Sequence, residues 1–396
     1  MAEYEDRERF IPLKNSEIID LICKEKILTN SEKKKFKKFA EILENIFHFE
    51  FKSKAQKLEN LYQPFDPDTD LESLKQYSNE ELEKMESEFL NEFKEILNDS
   101  NFDIIGREEI NYALKEDSDV AVKIKVNLRD FSKLCLFKRG KTFKILNLPK
   151  FFSFLNKRVK LEIFKRVILV SKFDQRYKNQ KTTLKEKIDS NKIYLKLFKN
   201  VPKQDLEMIF PNSKVIMKLK DKLKIMIPIL IGFSLGFSKL LSVIRGGTSI
   251  ILTVSLFLLL MGYATKSYIG YKNTILNYIK TLSSGLYFKN LGNGSGIIQY
   301  LIREAEEEET KEAILGYYFI SKNKKSLNAK ELDNKVENWF EEKNIKIDWE
   351  VDDALKKLKR LKLIKEDKTG SLIALNLDKS LKHLDYLWDN YFTYNN

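Results

Sequence analysis

A chain of 396 residues with 33% charged and 43% hydrophobic side chains is long enough for two or three domains and too polar to lie wholly within a bilayer. Its 14 glycines and 7 prolines exclude a collagen-like or linker-dominated chain. The 2 cysteines, Cys23 and Cys135, exclude a disulfide framework and a cysteine-based zinc site, while the net charge of +13 invites an anionic partner.

The first region, 1–119, is acidic, with 18 Lys+Arg against 30 Asp+Glu. Its start, Met1 to Pro12, has neither the apolar run of a secretory signal nor the pattern of a mitochondrial transit peptide. Ile18, Ile19, Leu21 and Ile22 begin an apolar helical face. Ser31 with Glu32 opens a second helix carrying Phe36, Phe39, Ala40, Leu43, Ile46 and Phe47 at three- and four-residue spacing. The PFDPDTD stretch, Pro64 to Asp70, reads as a turn, because it lacks the loop pattern of a calcium site. Ser78 and Glu81 form a capping box ahead of Leu82, Met85, Phe89, Phe93 and Leu97.

The charge then reverses. Residues 120–200 hold 23 Lys+Arg against 5 Asp+Glu. Val120, Val122, Ile124 and Val126 alternate as a half-buried strand should, and Thr142 to Leu146 and Val159 to Phe173 are further strands. Arg139-Gly140-Lys141 is expected to turn a hairpin. The segment 120–213 therefore reads as a small basic α+β module, its bases interleaved with Phe143, Phe151, Phe152, Phe154 and Phe164. That mixture suits a surface beside anionic lipid, and nucleic acid is disfavoured.

Two long apolar stretches, about 225–244 and 248–265, predict a transmembrane helical hairpin within 214–272. Arg245-Gly246-Gly247 reverses the chain between them, and Lys239 lies near enough to the first end to snorkel. Gly232 and Gly236 have the small-xxx-small spacing that lets a second helix approach, from the hairpin itself or from another subunit. Lys218, Lys220, Lys222 and Lys224 before the hairpin, with Lys266 and Lys272 after it, outweigh Arg245 at the turn. This imbalance predicts that both flanks face the cytosol.

The last region, 273–396, reads as winged-helix-like. A helix over 297–320 carries the acidic block Glu306, Glu307, Glu308 and Glu309, expected to be a solvated segment near the helix start that faces the basic middle. Asn328 with Glu331 caps a second helix, a third holds Leu355, Leu358 and Leu361, and Leu363-Ile364 with Leu372 to Leu377 make a hairpin turned at Lys368-Thr369-Gly370. A terminal helix follows over about 378–392. Lys356, Lys357, Lys359, Arg360 and Lys362 lie on the third helix, but a module of near-balanced charge lacks a DNA reader's footprint.

No catalytic constellation stands out. His48 and His383 are the only histidines and neither sits in a ligand-spaced cluster, and no phosphate loop or dinucleotide fingerprint is present. No cofactor, metal or catalytic residue is therefore expected, which favours a non-enzyme.

ERFIP at Glu8 to Pro12, FKNVPKQDLEMIFP at Phe198 to Pro211, LYFKNLGNGSGII at Leu286 to Ile298, AEEEETKEAILGYYFI at Ala305 to Ile320 and LDNKVENWF at Leu332 to Phe340 together carry a resemblance. With the basic-flanked hairpin between them, the chain resembles the domain of unknown function 3754 family, which includes transmembrane protein 143-like proteins. The resemblance implies a two-span architecture and brings no activity or catalytic residue with it. The expected class is an α+β membrane protein, with a helical N-terminal region, basic module, transmembrane hairpin and winged-helix-like domain. The expected function is a membrane-anchored scaffold or regulator in the plasma (inner) membrane, both termini cytosolic. Its expected partners are the lipid bilayer, anionic lipid, and another protein or a second copy. A membrane-bound enzyme and a transport accessory subunit are the alternatives.

Overall fold

The computed structural model describes residues 7–70, 75–115, 122–148, 157–176, 188–217, 250–323 and 327–392. Between 218 and 249 it describes only Leu223, 226–227, 230–234, 237–238 and Leu241.

Helix α1 (Asn15–Lys24) is followed by α2 (Asn30–Tyr62), whose start is set two residues ahead of Ser31. Thr29 Oγ1 accepts from the Glu32 amide at 3.3 Å, and the Glu32 carboxylate accepts from the Thr29 amide at 2.9 Å. This reciprocal pair satisfies two helix-end amides that the helix itself leaves without acceptors. The box at Ser78 and Glu81 opens α3 (Asn79–Asp99) in the same way. Phe36, Phe39, Leu43, Ile46 and Phe47 form the buried stripe of α2, as their spacing requires.

Strands and short helices follow: β1 (Asp103–Ile104), α4 (Arg107–Lys115), β2 (Val122–Lys125), β3 (Phe131–Leu148), β4 (Lys157–Phe173), β5 (Ile193–Pro202), the 3-10 segment Lys203–Ile209 and β6 (Lys214–Met217). An antiparallel five-stranded sheet runs β1-β3-β4-β5-β7, where β7 is Asn290–Asn293, and β2 pairs with β6 apart from it. Alternate residues point to opposite faces. Phe137, Ile168, Val170, Leu195 and Leu197 thus join the helices in the main core, while Leu136, Val167, Leu169 and Phe198 join a second core with Ile110, Leu206 and Phe210.

Arg139-Gly140-Lys141 does not turn a hairpin. It lies inside β3, which pairs with β4 from Phe131 to Leu148. Gly140 is there because the strand passes closely beneath its neighbours. Its φ is +73°, and a Cβ would lie 2.8 Å from Lys165 Cδ and 3.1 Å from Phe10 Cε1.

After the sheet's fourth strand the chain forms α5 (Ile250–Lys289), then β7, α6 (Ser295–Lys322), α7 (Ala329–Glu341), α8 (Val351–Arg360), the hairpin β8 (Ile364–Glu366) and β9 (Leu372–Ala374), and α9 (Leu377–Asp389). Asn328 and Glu331 form the expected box at α7. Helix α6 is central. Ala313 to Phe319 are buried around its whole circumference, against α1, α2, α3, α7 and α8. Helices from the first hundred residues and the last hundred therefore share one core.

The transmembrane hairpin is corrected here. Its second stretch does not stop at Thr265. It is the first part of α5, a helix of 40 residues that continues through Lys266, Lys272 and Lys280 to Lys289, with Ile251, Phe257, Leu258 and Leu259 exposed along it. Half of the first stretch lies outside the described residues. Among the described residues no helix is long and apolar enough to cross a membrane. With the hairpin fall the α+β membrane-protein class, the membrane-anchored function, the bilayer and anionic-lipid partners, and the multi-pass plasma-membrane placement with cytosolic termini.

Candidate functional site

Charged side chains gather along the middle of α6, where they tie other segments of the chain to it. Glu304 pairs with Arg139 of β3, whose guanidinium also donates to Tyr300 Oη at 3.1 Å and to the Ser100 carbonyl at 3.2 Å. The rings of Phe10 and Phe102 lie over that guanidinium at 5.2 and 4.9 Å. Burial opposes the charges of both partners, but each holds the other ionised. Arg139 is raised by Tyr300 and Glu304, and Glu304 is lowered by Arg139.

One turn on, Glu308 accepts from the Ile11 amide at 3.0 Å and from Asn101 Nδ2 at 3.4 Å, and Lys311 Nζ donates to the Ile11 carbonyl at 3.1 Å. Glu308 and Lys311 themselves lie 2.9 Å apart. The segment 7–11 is thereby strapped across the molecule. Arg7 pairs with Glu337 and Arg9 with Asp103 and Glu350, while the Asp348 amide donates to the Glu8 carbonyl at 2.9 Å.

The third cluster lies against α8. Lys357 is buried, with Glu309 at 2.8 Å and Glu312 beside it. Burial works against the lysine's charge, but Glu312 and Glu309 together outweigh it and raise its pKa. Burial likewise pushes the Glu312 carboxyl up to about 8, with Lys357 opposing and Glu309 and Glu308 adding to the shift. As pH falls, Glu312 is the member that takes up a proton early.

Grooves open beside this charged helix. One of about 950 Å³ lies between α2, α3 and α8, with Phe47, Phe51, Asn98 and Lys357 in its wall and the Lys54–Asp99 and Arg360–Glu50 pairs at its edge. Two smaller ones, about 600 and 430 Å³, share His48, Arg303 and Glu306. His48 Nδ1 faces both carboxylate oxygens of Glu306 at 3.1 Å. Nearby Glu44 is raised by burial, with Glu306 and Glu307 contributing and a hydrogen bond from Asn15 opposing. Among the described residues no group of three or more His, Cys, Asp or Glu side chains could hold a metal ion.

The four predicted glutamates are therefore placed well inside α6, beyond its first turns. Glu306 meets His48 of α2, Glu307 lies 3.4 Å from Lys311, Glu308 holds the strap and Glu309 holds α8. Gly232 is buried in a helical stretch. Lys218, Lys220, Lys222, Lys224, Arg245 and Gly236 lie outside the described residues. Sequence reasoning missed Arg139, Lys311 and Lys357 as partners of this acidic block. The Glu308–Lys311 spacing was a readable signal, since residues three apart share a helix face. The pairings across the fold were not.

Residues 164–296 match the family described as protein of unknown function (DUF3754). Over this stretch the chain is similar to that family. The matched segment runs from within β4 to the first turn of α6, and so contains the end of β4, all of β5 and β7, the 3-10 segment and all of α5. The Glu8–Pro12 and Ala305–Ile320 motifs lie outside that segment and touch each other, through Ile11, Glu308 and Lys311. No solved structure matches the chain.

Proposed function

We propose that the chain is a non-catalytic partner-binding protein. The observation that carries the reading is the pairing of the central helix. Each carboxylate from Glu306 to Glu309 is engaged by a side chain or amide of the same chain, and Glu308 and Glu309 hold the strap and α8 in place. Glu308 and Glu309 serve the architecture, because freeing them for chemistry would leave shielded charges without partners. The sheet, by contrast, carries a long β3–β4 ribbon beyond the core, rich in bases and with Phe143 and Ile145 exposed.

The competing enzymatic reading has one feature in its favour, the His48–Glu306 pair at the meeting of two grooves. A histidine oriented by a carboxylate is a general-base arrangement. The two readings separate in a direct assay. Purified full-length protein is screened against ester, phosphoester, glycoside and peptide substrates, with His48→Ala and Glu306→Gln alongside. No turnover that depends on either side chain is expected. Turnover abolished by His48→Ala in a folded protein overturns the binding-protein reading.

A further inference from the structure

The β3–β4 ribbon extends past its neighbours on both sides. The last partner of β3 on β1 is Lys138, and the first partner of β4 on β5 is Ile163. From Lys141 to Leu148 and from Lys157 to Glu162 the two strands pair only with each other among the described residues. This stretch holds five bases, Lys141, Lys144, Lys157, Arg158 and Lys160, against one acid, Glu162. Phe143 and Ile145 are 55% and 66% exposed on it.

One rung of its outer edge already has a ligand. The Lys141 amide donates to Glu8 Oε1 at 2.6 Å, and the same carboxylate oxygen lies 3.8 Å from Lys165 Nζ. The Lys141 amide therefore points away from β4. In an antiparallel pair, alternate residues direct their N–H and C=O to the same side. Ile145 and Asn147 thus present their backbone groups along the edge that Glu8 begins to occupy. A second copy of the ribbon is a poor fit there, since lysines such as Lys141 and Lys144 along an open edge deter self-pairing.

We propose that this edge binds an extended acidic segment of a partner protein, added to β3 as a further strand. Main-chain hydrogen bonds to Ile145 and Asn147 supply the register, the exposed Phe143 and Ile145 side chains give apolar contact, and the ribbon's bases select an acidic sequence. Glu8 shows within the chain itself the chemistry that edge accepts: a carboxylate on a backbone amide beside a lysine. The inference rests on the binding-protein reading and names its partner class.

The test uses full-length protein and a fluorescent peptide of alternating glutamate and valine, with a lysine–valine peptide and a short DNA duplex as comparisons. Binding of the acidic peptide is expected, weakening as salt rises. Ile145→Pro removes an amide that faces outward, so β3–β4 pairing survives while binding falls at least about tenfold. Lys144→Glu, next to that position on β3, should weaken binding in the same direction and serves where Ile145→Pro fails to fold. Ile145→Val should bind like the parent. Equal binding of the lysine–valine peptide, or undiminished binding by a folded Ile145→Pro together with Lys144→Glu, overturns the proposal. Binding of the duplex alone overturns it in favour of nucleic acid. Absence of any peptide binding overturns this partner class and leaves the non-catalytic reading to the His48 and Glu306 assay.

Discussion

Lys357 shows how much a single buried charge carries in this fold. It sits between Glu309 and Glu312, all three largely shielded from water. Lys357→Met leaves two carboxylates without their cation, and a loss of about 3–5 kcal/mol in denaturant unfolding is expected. Exchanging all three for apolar residues of similar size should recover much of that loss, since no charge is then left buried. The same cluster predicts a pH dependence. The Glu312 pKa is raised in the fold to about 8, above its value of 4.5 in the open chain. Its contribution to stability is therefore complete below about 4.5 and disappears as pH rises through 8. The stability of the parent relative to Glu312→Gln should fall across that window when melting temperatures are compared at matched pH. A constant difference would show that Glu312 does not titrate there. The acidity of this block was plain in the sequence. Its burial was not, because the cations that permit it come from β3, the strap and α8.

At the level of elements, local signals were often sufficient. The boxes at Ser78–Glu81 and Asn328–Glu331 begin α3 and α7 where the sequence places them, because a capping box is an interaction among neighbours. Gly140 misled for the opposite reason. A glycine between two bases reads as a turn, but here it serves a crossing by Phe10 and Lys165, residues distant in the chain. Gly316 is another such position, on α6 against α8. A Cβ there would lie 3.0 Å from Leu358 Cδ1, and Leu358 is fully buried. Gly316→Val should cost about 1–3 kcal/mol by overpacking, with Gly316→Ala less affected because a helix favours alanine over glycine. Equal stability of parent and Gly316→Val would mean that α8 can shift away. The strap offers a test of its own. Glu308→Ala removes the acceptor of the Ile11 amide, and faster hydrogen exchange at Ile11 is expected, with α6 itself still protected.

For the molecule as a whole, the shared core makes the ends interdependent. Phe36 and Phe39 of α2 contact Tyr318 and Tyr317 of α6, with ring centroids 5.8 and 4.2 Å apart. Tyr62 of α2 donates to the Ile193 carbonyl of β5 at 2.8 Å. A fragment comprising residues 290–392 would expose the aromatic face of α6 that α2 covers. It is expected to lack a cooperative thermal transition when purified alone, and to regain one when residues 1–115 are supplied. Cooperative unfolding of the isolated fragment would show that the C-terminal helices form a core of their own.

The sequence by itself determined what depends on near neighbours: the amphipathic stripes of α2 and α3, the caps of α3 and α7, the alternation in the strands and the order of helices and hairpin after residue 295. It also pointed to the DUF3754 family through short motifs. Only the tertiary structure decided that α5 continues through its lysines to Lys289, that β3 runs straight through Gly140, and that the Glu306–Glu309 block is an internal fastening. The physical reason is common to all three. Burial, close approach and ion pairing are set by partners from distant parts of the chain, and a local pattern of charge or hydropathy does not say which partners those will be.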